Sequence, residues 1–306
     1  MRNFIRDFKE TRIRLFTFLS IFVLLGLCSF VSADNDTLFP NSSLIFDLQV
    51  LNDNLGRNDL VVVDARSATL YKNGHIPDAI NIPVTMTFDR KPNDDRVASI
   101  QRIQSLIAAA GITTEMTLVI YDDGTYIDAA RLFWVLETYG HKSVHVLNGG
   151  MDAWISSGFP ISLQARHLPP SKFVPTIVPE RLATKLKIRL ALDNPTFAII
   201  DARTEEEYEG KKSVAVRSGH IPRAINIPWN SNFTRDHGVL YLKSEPELSE
   251  LYAGIDKDNK VITYCNKGKQ SALIYFVMRN LGYDISVYDG SWYEWGNDTN
   301  MPIYTP

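Results

Sequence analysis

The chain has 306 residues, 45% of them hydrophobic and 22% charged, with a formal net charge of −3. That length suits about two domains of ordinary size, and the composition excludes disordered and fibrous classes. A pI near 6.1 without a basic stripe argues against nucleic acid as a partner.

The first predicted element is a targeting segment. Arg2, Arg6, Lys9, Arg12 and Arg14 outnumber Asp7 and Glu10, and an apolar run follows from Leu15 to Leu27. Val31-Ser32-Ala33 then sets small residues where a signal peptidase reads them. This is the layout of a secretory signal peptide over residues 1–33, which leaves Asp34 first. The alternative is an uncleaved anchor, for which the run is short of the ~20 residues a relaxed span needs. Cleavage removes five basic and two acidic side chains, takes the charge to −6 and leaves no stable membrane span. The expected location is therefore exported, in a periplasm or secreted. Cys28 departs with the leader, so Cys265 is the only cysteine of the mature chain and no internal disulfide can form. A lone exported thiol is a liability unless it is buried, bridges two chains, or reacts.

Beyond the leader the chain repeats itself. Leu60 to Arg66, ending Asp64-Ala65-Arg66, is matched by Ala198 to Arg203, ending Asp201-Ala202-Arg203. Gly74-His75-Ile76-Pro77-Asp78-Ala79-Ile80-Asn81-Ile82-Pro83 returns at Gly219 to Pro228 with one change, Arg223 for Asp78. Leu118-Val119-Ile120-Tyr121-Asp122 aligns with Val261-Ile262-Thr263-Tyr264-Cys265, and Gly149 with Trp154 aligns with Gly290 and Trp295. Short apolar runs such as Val61 to Val63 and Val261 to Tyr264 predict buried strands. Asp128 to Tyr139 and Ser271 to Leu281 have helical apolar spacing and end near Gly140 and Gly282. Strands are expected again at Ser143 to Leu147 and Ile285 to Tyr288. Strand, helix, strand at this spacing predicts an α/β fold made of parallel βαβ units. The expected domains are 42–163 and 179–306, joined by a linker over 164–178 that carries Pro169, Pro170 and Pro175. The second copy adds an insertion, Gly210 to Ser218, expected as a surface loop.

Cys265 directly follows a predicted buried strand and precedes Asn266-Lys267-Gly268-Lys269-Gln270, then Ser271 and a helix. A sharp turn between strand end and helix start aims backbone N–H groups into its concavity, and the helix N-terminus adds positive potential. Lys267 and Lys269 add two cations. All three favour thiolate over thiol, and strand ends before helices are where open α/β sheets bind ligands. The same cradle suits a persulfide anion. The expected chemistry is two half-reactions on Cys265, from a small-molecule sulfur donor to a small-molecule or protein thiol acceptor, with no metal or organic cofactor.

These motifs closely resemble the rhodanese family. The resemblance covers nearly all of the mature chain in both halves. It implies two tandem rhodanese-like domains, each a mainly parallel sheet flanked by helices, with an inactive first copy and a catalytic second copy. Asp122 fits this, since it stands where the first copy would need its cysteine and a carboxylate cannot carry sulfane sulfur. The resemblance implies a thiosulfate sulfurtransferase, with a 3-mercaptopyruvate sulfurtransferase or a non-catalytic sulfur carrier as alternatives. Lys267 leans toward an anionic donor such as thiosulfate, while Asn266 and the Lys269-Gln270 ending match neither donor class. Where many relatives carry a donor-binding arginine, this chain has Glu207, so the cation set is thin unless Lys269 or Arg217 substitutes. Arg203 matches a family arginine that mostly serves structure and is retained as a possible supporting residue.

Other residues have plainer readings. His75 and His220 lie in the repeated turn and are expected to be structural. Glu205, Glu206 and Glu207 at a helix start are expected to be solvated and to complement the dipole. Trp229, Trp292 and Trp295 are expected in the core. A cysteine phosphatase would need an arginine six residues after the cysteine, and that position is Ser271.

Overall fold

The computed structural model describes residues 43–89 and 95–306. The expected signal peptide over residues 1–33, with Cys28, lies outside the described residues. Among the described residues, no helix is long and apolar enough to cross a membrane.

The first copy runs β1 (Ile45–Phe46), α1 (Leu48–Asp53), β2 (Leu60–Asp64), α2 (Ala68–Asn73), β3 (Ile80–Asn81), α3 (Ile100–Ala109), β4 (Thr117–Tyr121), α4 (Ile127–Thr138), β5 (Val144–Leu147) and α5 (Gly150–Ser156). The second runs β6 (Leu182–Ala183), α6 (Lys185–Ala191), β7 (Phe197–Asp201), α7 (Glu205–Tyr208), β8 (Ile225–Asn226), β9 (Phe233–Asp236), β10 (Val239–Leu242), α8 (Glu245–Leu251), β11 (Lys260–Tyr264), α9 (Lys269–Asn280), β12 (Ile285–Tyr288) and α10 (Ser291–Asn297). The sheets have orders β1-β5-β4-β2-β3 and β6-β12-β11-β7-β8, so the sequence repeat is a repeat of topology. All pairings within these two sheets are parallel.

Parallel strands covered on both faces read as unbroken apolar runs rather than alternations. All five residues of β2 are buried, as are the last four of β11. The Asp-Ala-Arg ends of β2 and β7 build the same polar knot twice. Arg66 holds Asp64 at 2.6 Å and donates to the Gly74 carbonyl at 2.8 Å. Arg203 holds Asp201 at 2.6 Å and donates to the Gly219 carbonyl at 2.8 Å. Tyr121 and Tyr264 each donate to that aspartate at 2.6 Å. In each knot the charge-assisted bonds offset the desolvation of an ion pair inside the sheet edge.

The copies meet through α4 and α9. Nine of the twelve residues of α4 are buried, and so are eight of the twelve of α9, because each helix lies between its own sheet and the other helix. Phe133 and Phe276 pack edge-to-face at 5.0 Å. Arg279 donates to Glu137 at 2.6 Å, and the Tyr275 hydroxyl donates to the same carboxylate. Residues 164–178 have no regular element but are tied to the first copy. Ser171 donates to the Ala108 carbonyl and Thr176 to the Tyr139 carbonyl.

One element departs from the sequence reading. The β9–β10 hairpin was not expected. Its tight turn puts His237 at φ 47° and Gly238 at φ 88°, the positive-φ pair that a two-residue primed turn demands. The insertion Gly210 to Ser218 is irregular, and Val216 at its tip is 90% exposed. Its Arg217 is not free for a ligand, however. It donates to the carbonyls of Trp295, Gly296 and Met301, and also to that of Asp298, closing the end of α10.

Candidate active site

Cys265 sits one residue past β11, beside the end of β7, where Tyr264 pairs with Asp201. The turn after it spends its carbonyls on α10. Trp292 donates to the Cys265 carbonyl at 2.9 Å and Tyr293 to the Asn266 carbonyl at 3.0 Å. With carbonyls committed on that side, amides can turn toward the side chain. Gly268 N–H reaches Cys265 Sγ at 3.1 Å, and the Ser271 hydroxyl donates to it at 3.5 Å. Gly268 makes the turn possible, since its φ is +90° and a Cβ there would lie 2.4 Å from Asp289 Oδ1. The Cys265 N–H is taken by the Ser291 hydroxyl at 3.2 Å. The thiol is 1% exposed. The turn itself borders a groove of about 670 Å³, lined by Lys267, Gly290, Tyr293 and Glu294 among others.

Both lysines were expected to face the thiol, but neither bonds there. The Lys267 ammonium lies 5.1 Å from the Tyr293 ring, at the groove. Lys269, at the start of α9, is paired with Asp128 of the first copy at 2.6 Å. Lys269 and Arg217 are thus both occupied and do not replace a donor-binding arginine. Asn266 donates to Glu207 Oε1 at 2.7 Å. Glu207 Oε2 closes the capping box of α7 through Thr204. The expectation that this glutamate is merely solvated is corrected: it reaches the cysteine loop. Gln270 is half-buried at the second position of α9. Arg203 is fully buried in the Asp201 knot and does the same structural work as Arg66.

The structural readings of the histidines hold. His75 bonds the Tyr71 carbonyl at 2.8 Å and stacks on that ring. His220 repeats this with Tyr208 at 2.7 Å. Trp292 and Trp295 are fully buried.

The first copy shows what the same turn does with a carboxylate. Asp122 is 2% exposed. Its Oδ1 accepts from the amides of Gly124 at 2.9 Å and Tyr126 at 3.0 Å. Its Oδ2 accepts from the amides of Asp128 at 3.1 Å and Ala129 at 3.3 Å. Burial outweighs these donors and pushes the carboxyl up to about 6. At neutral pH the turn therefore cradles an anion.

Sequence reasoning missed Arg131 and Asp289. Arg131, on α4, donates to Asp289 Oδ1 at 2.6 Å and to the Gly268 carbonyl at 3.2 Å. The available signal was an arginine set between the apolar runs Ala129-Ala130 and Leu132 to Leu136 of α4, because a buried guanidinium requires a partner.

The family model for the Rhodanese-like domain matches residues 47–157 and 183–298. A thiosulfate sulfurtransferase of Pseudomonas aeruginosa is 31% identical, over 87% of this chain and 99% of the relative. One from Azotobacter vinelandii is 32% identical, over 87% and 98%. The sulfur carrier protein TtuD of Thermus thermophilus is 33% identical, over 76% and 86%. Among solved structures, Escherichia coli SseA, described with the 3-mercaptopyruvate sulfotransferases, superposes with a TM-score of 0.73 at 26% identity, covering 82% of this chain and 99% of its own. The duplicated parallel sheets, the doubled Asp-Ala-Arg knots and these matches in both halves establish that the chain belongs to the rhodanese family.

Proposed function

We propose that this chain is a sulfurtransferase in which Cys265 carries sulfane sulfur between thiosulfate, or a related donor, and a thiophilic acceptor. The observation that carries this is the thiol at the end of β11, with the Gly268 amide at 3.1 Å and the Ser271 hydroxyl at 3.5 Å. It occupies a turn whose sister holds the Asp122 carboxylate on four amides. The names of the curated relatives support the same reading.

In the first half-reaction the Cys265 thiolate attacks the outer sulfur of thiosulfate. A Cys–S bond to that sulfur forms, the sulfur–sulfur bond of the donor breaks, and the electron pair leaves with sulfite. The persulfide anion left on Cys265 is held by the amide and hydroxyl donors that held the thiolate. In the second half-reaction cyanide or a thiolate takes the terminal sulfur, and the electron pair of the broken bond returns to Cys265. Burial of the thiol, 1% exposed, means that the groups covering it must yield to each donor. No step calls on a metal or organic cofactor.

Mercaptopyruvate is the alternative donor. Glu207 beside Asn266 favours it, since a monoanion needs fewer cations than a dianion. Comparing rates with the two donors decides between them. We further propose that the enzyme is exported, on the strength of residues 1–33. N-terminal sequencing of the mature protein, with Asp34 first, checks this.

The nucleophile is tested by cyanide-dependent thiocyanate formation in wild type and Cys265→Ser. We expect the substitution to lower the rate by at least about a thousandfold. Activity that survives it overturns the assignment.

A further inference from the structure

Arg131 stands on α4 of the first copy and is 0% exposed. Its guanidinium lies 4.4 Å from the Trp134 ring and 5.7 Å from that of Phe88. A guanidinium in such surroundings must be paired and hydrogen-bonded, and here the pairing crosses into the second copy. Nη1 donates to Asp289 Oδ1 at 2.6 Å and to the Gly268 carbonyl at 3.2 Å. Nη2 donates to the Asp95 carbonyl at 3.0 Å. The other oxygen of Asp289 accepts from the Val97 amide at 2.7 Å. Asp289 and Arg131 thereby box in Gly268, where a Cβ would lie 2.4 Å from the carboxylate and 2.9 Å from the guanidinium. Gly268 is also the residue whose N–H meets Cys265 Sγ.

We infer that Arg131, supplied by the copy that has no cysteine, is a positioning residue for the Cys265 loop, holding Gly268 so that its N–H stays aimed at the sulfur. The need for such a hold follows from the chemistry of the two turns. In the first copy the Asp122 carboxylate gathers four amides by itself. Sulfur is a weak acceptor, and glycine resists rotation of its peptide planes less than any other residue. The Cys265 turn therefore depends on an external clamp. This gives the first copy a specific task in sulfur transfer. The inference rests on Cys265 being the sulfur carrier.

The test uses the full-length protein in three forms: wild type, Arg131→Lys, and Arg131→Met combined with Asp289→Asn. The double variant removes both charges, so that no carboxylate is left buried and unpaired. Thermal unfolding establishes that each form is folded. Two quantities are then read: the pH dependence of Cys265 alkylation by iodoacetamide, and kcat and KM with thiosulfate. In the double variant the alkylation midpoint is expected to rise by about one pH unit, a tenfold change in thiolate stabilisation. Its kcat is expected to fall about tenfold while KM stays within about twofold. Arg131→Lys, which keeps the charge but not the planar fork, should fall between. Alkylation profiles that superimpose on wild type in the folded variants overturn the inference, as does a change confined to KM. Should the double variant fail to fold, an unchanged midpoint in Arg131→Lys overturns it alone. Failure of the underlying reading is distinguishable, because it appears as transfer activity surviving Cys265→Ser.

Discussion

The turn at Asp122 and the turn at Cys265 follow equivalent strands and precede equivalent helices, yet they are organised in opposite ways. The Asp122 turn has five residues between β4 and α4, and the Cys265 turn has four between β11 and α9. In the first, a carboxylate accepts from four amides, and Tyr126 takes φ 63° at the helix start. In the second, the sulfur accepts from one amide and one hydroxyl, and Gly268 takes φ 90°. One turn is closed around its own side chain. The other leaves its sulfur less encumbered and draws rigidity from Arg131 and Asp289 across the boundary. The copy without a cysteine thus uses its turn to hold a carboxylate and lends Arg131 to the turn of its sister.

The sharpest way to break this contrast is Gly268→Ala. A left-handed conformation without glycine costs about 1–2 kcal/mol, and the overlap with Asp289 adds about 1–3 kcal/mol. Activity should fall more than about tenfold, together with the denaturation midpoint. Activity and stability both close to wild type would mean that the turn is not held as described.

A pH experiment sharpens a second difference between the copies. His145 on β5 corresponds to Ser286 on β12, and both are buried. Burial holds the His145 imidazole down at about 4, although the Ser43 carbonyl opposes this. The unfolded chain therefore binds a proton between about pH 6.5 and 4 that the folded chain refuses, so this group removes stability as pH falls through that window. His145→Gln should gain on wild type by up to about 3 kcal/mol across it, measured by urea unfolding at several pH values. Asp122 works in the opposite sense. Its folded-state value of about 6 lies above the ordinary 3.8, so it costs stability as pH rises between the two. A difference between His145→Gln and wild type that is flat with pH contradicts the burial effect.

Asp122→Asn compares the turns directly. An amide in place of the carboxylate sets N–H donors against the Asp128 and Ala129 amides. Loss of about 1–3 kcal/mol is expected, with sulfur transfer by Cys265 changed far less than by Cys265→Ser. Equal unfolding midpoints for Asp122→Asn and wild type would mean that the first turn does not need an accepting oxygen at both positions.

The smallest effect concerns Glu207. In Glu207→Gln the Asn266 amide can flip, offering its otherwise unpartnered Oδ1 to the new side-chain N–H, so the geometry survives while a negative charge is lost. The KM for thiosulfate should fall about two- to fivefold with kcat nearly unchanged. An unchanged KM would show that this carboxylate does not act on the donor.

The architecture was legible because it is written locally and twice. Val61 to Val63 is a continuous apolar run, Val261 to Tyr264 is broken only by Thr263, and Gly140 and Gly282 mark helix ends where φ becomes 91° and 83°. The position of Cys265 was legible too, directly after a strand and before the turn at Gly268. The destinations of the charged groups were not. Glu207 reaches Asn266 only once α7 meets the loop after β11, and Lys269 reaches Asp128 and Arg131 reaches Asp289 only once α4 and α9 are packed. Such pairings join residues up to 158 positions apart, and local spacing carries no trace of them. The β9–β10 hairpin escaped for another reason. Its signal was a short Asp236-His237-Gly238 turn, inside a stretch with no counterpart among the matched motifs of the first copy.

The most direct measurement is the intact mass of the purified protein after treatment with thiosulfate. Wild type should gain one sulfur atom and lose it to cyanide, while Cys265→Ser should gain none. A wild-type mass that does not change, or a sulfur that still appears on Cys265→Ser, would contradict position 265 as the carrier.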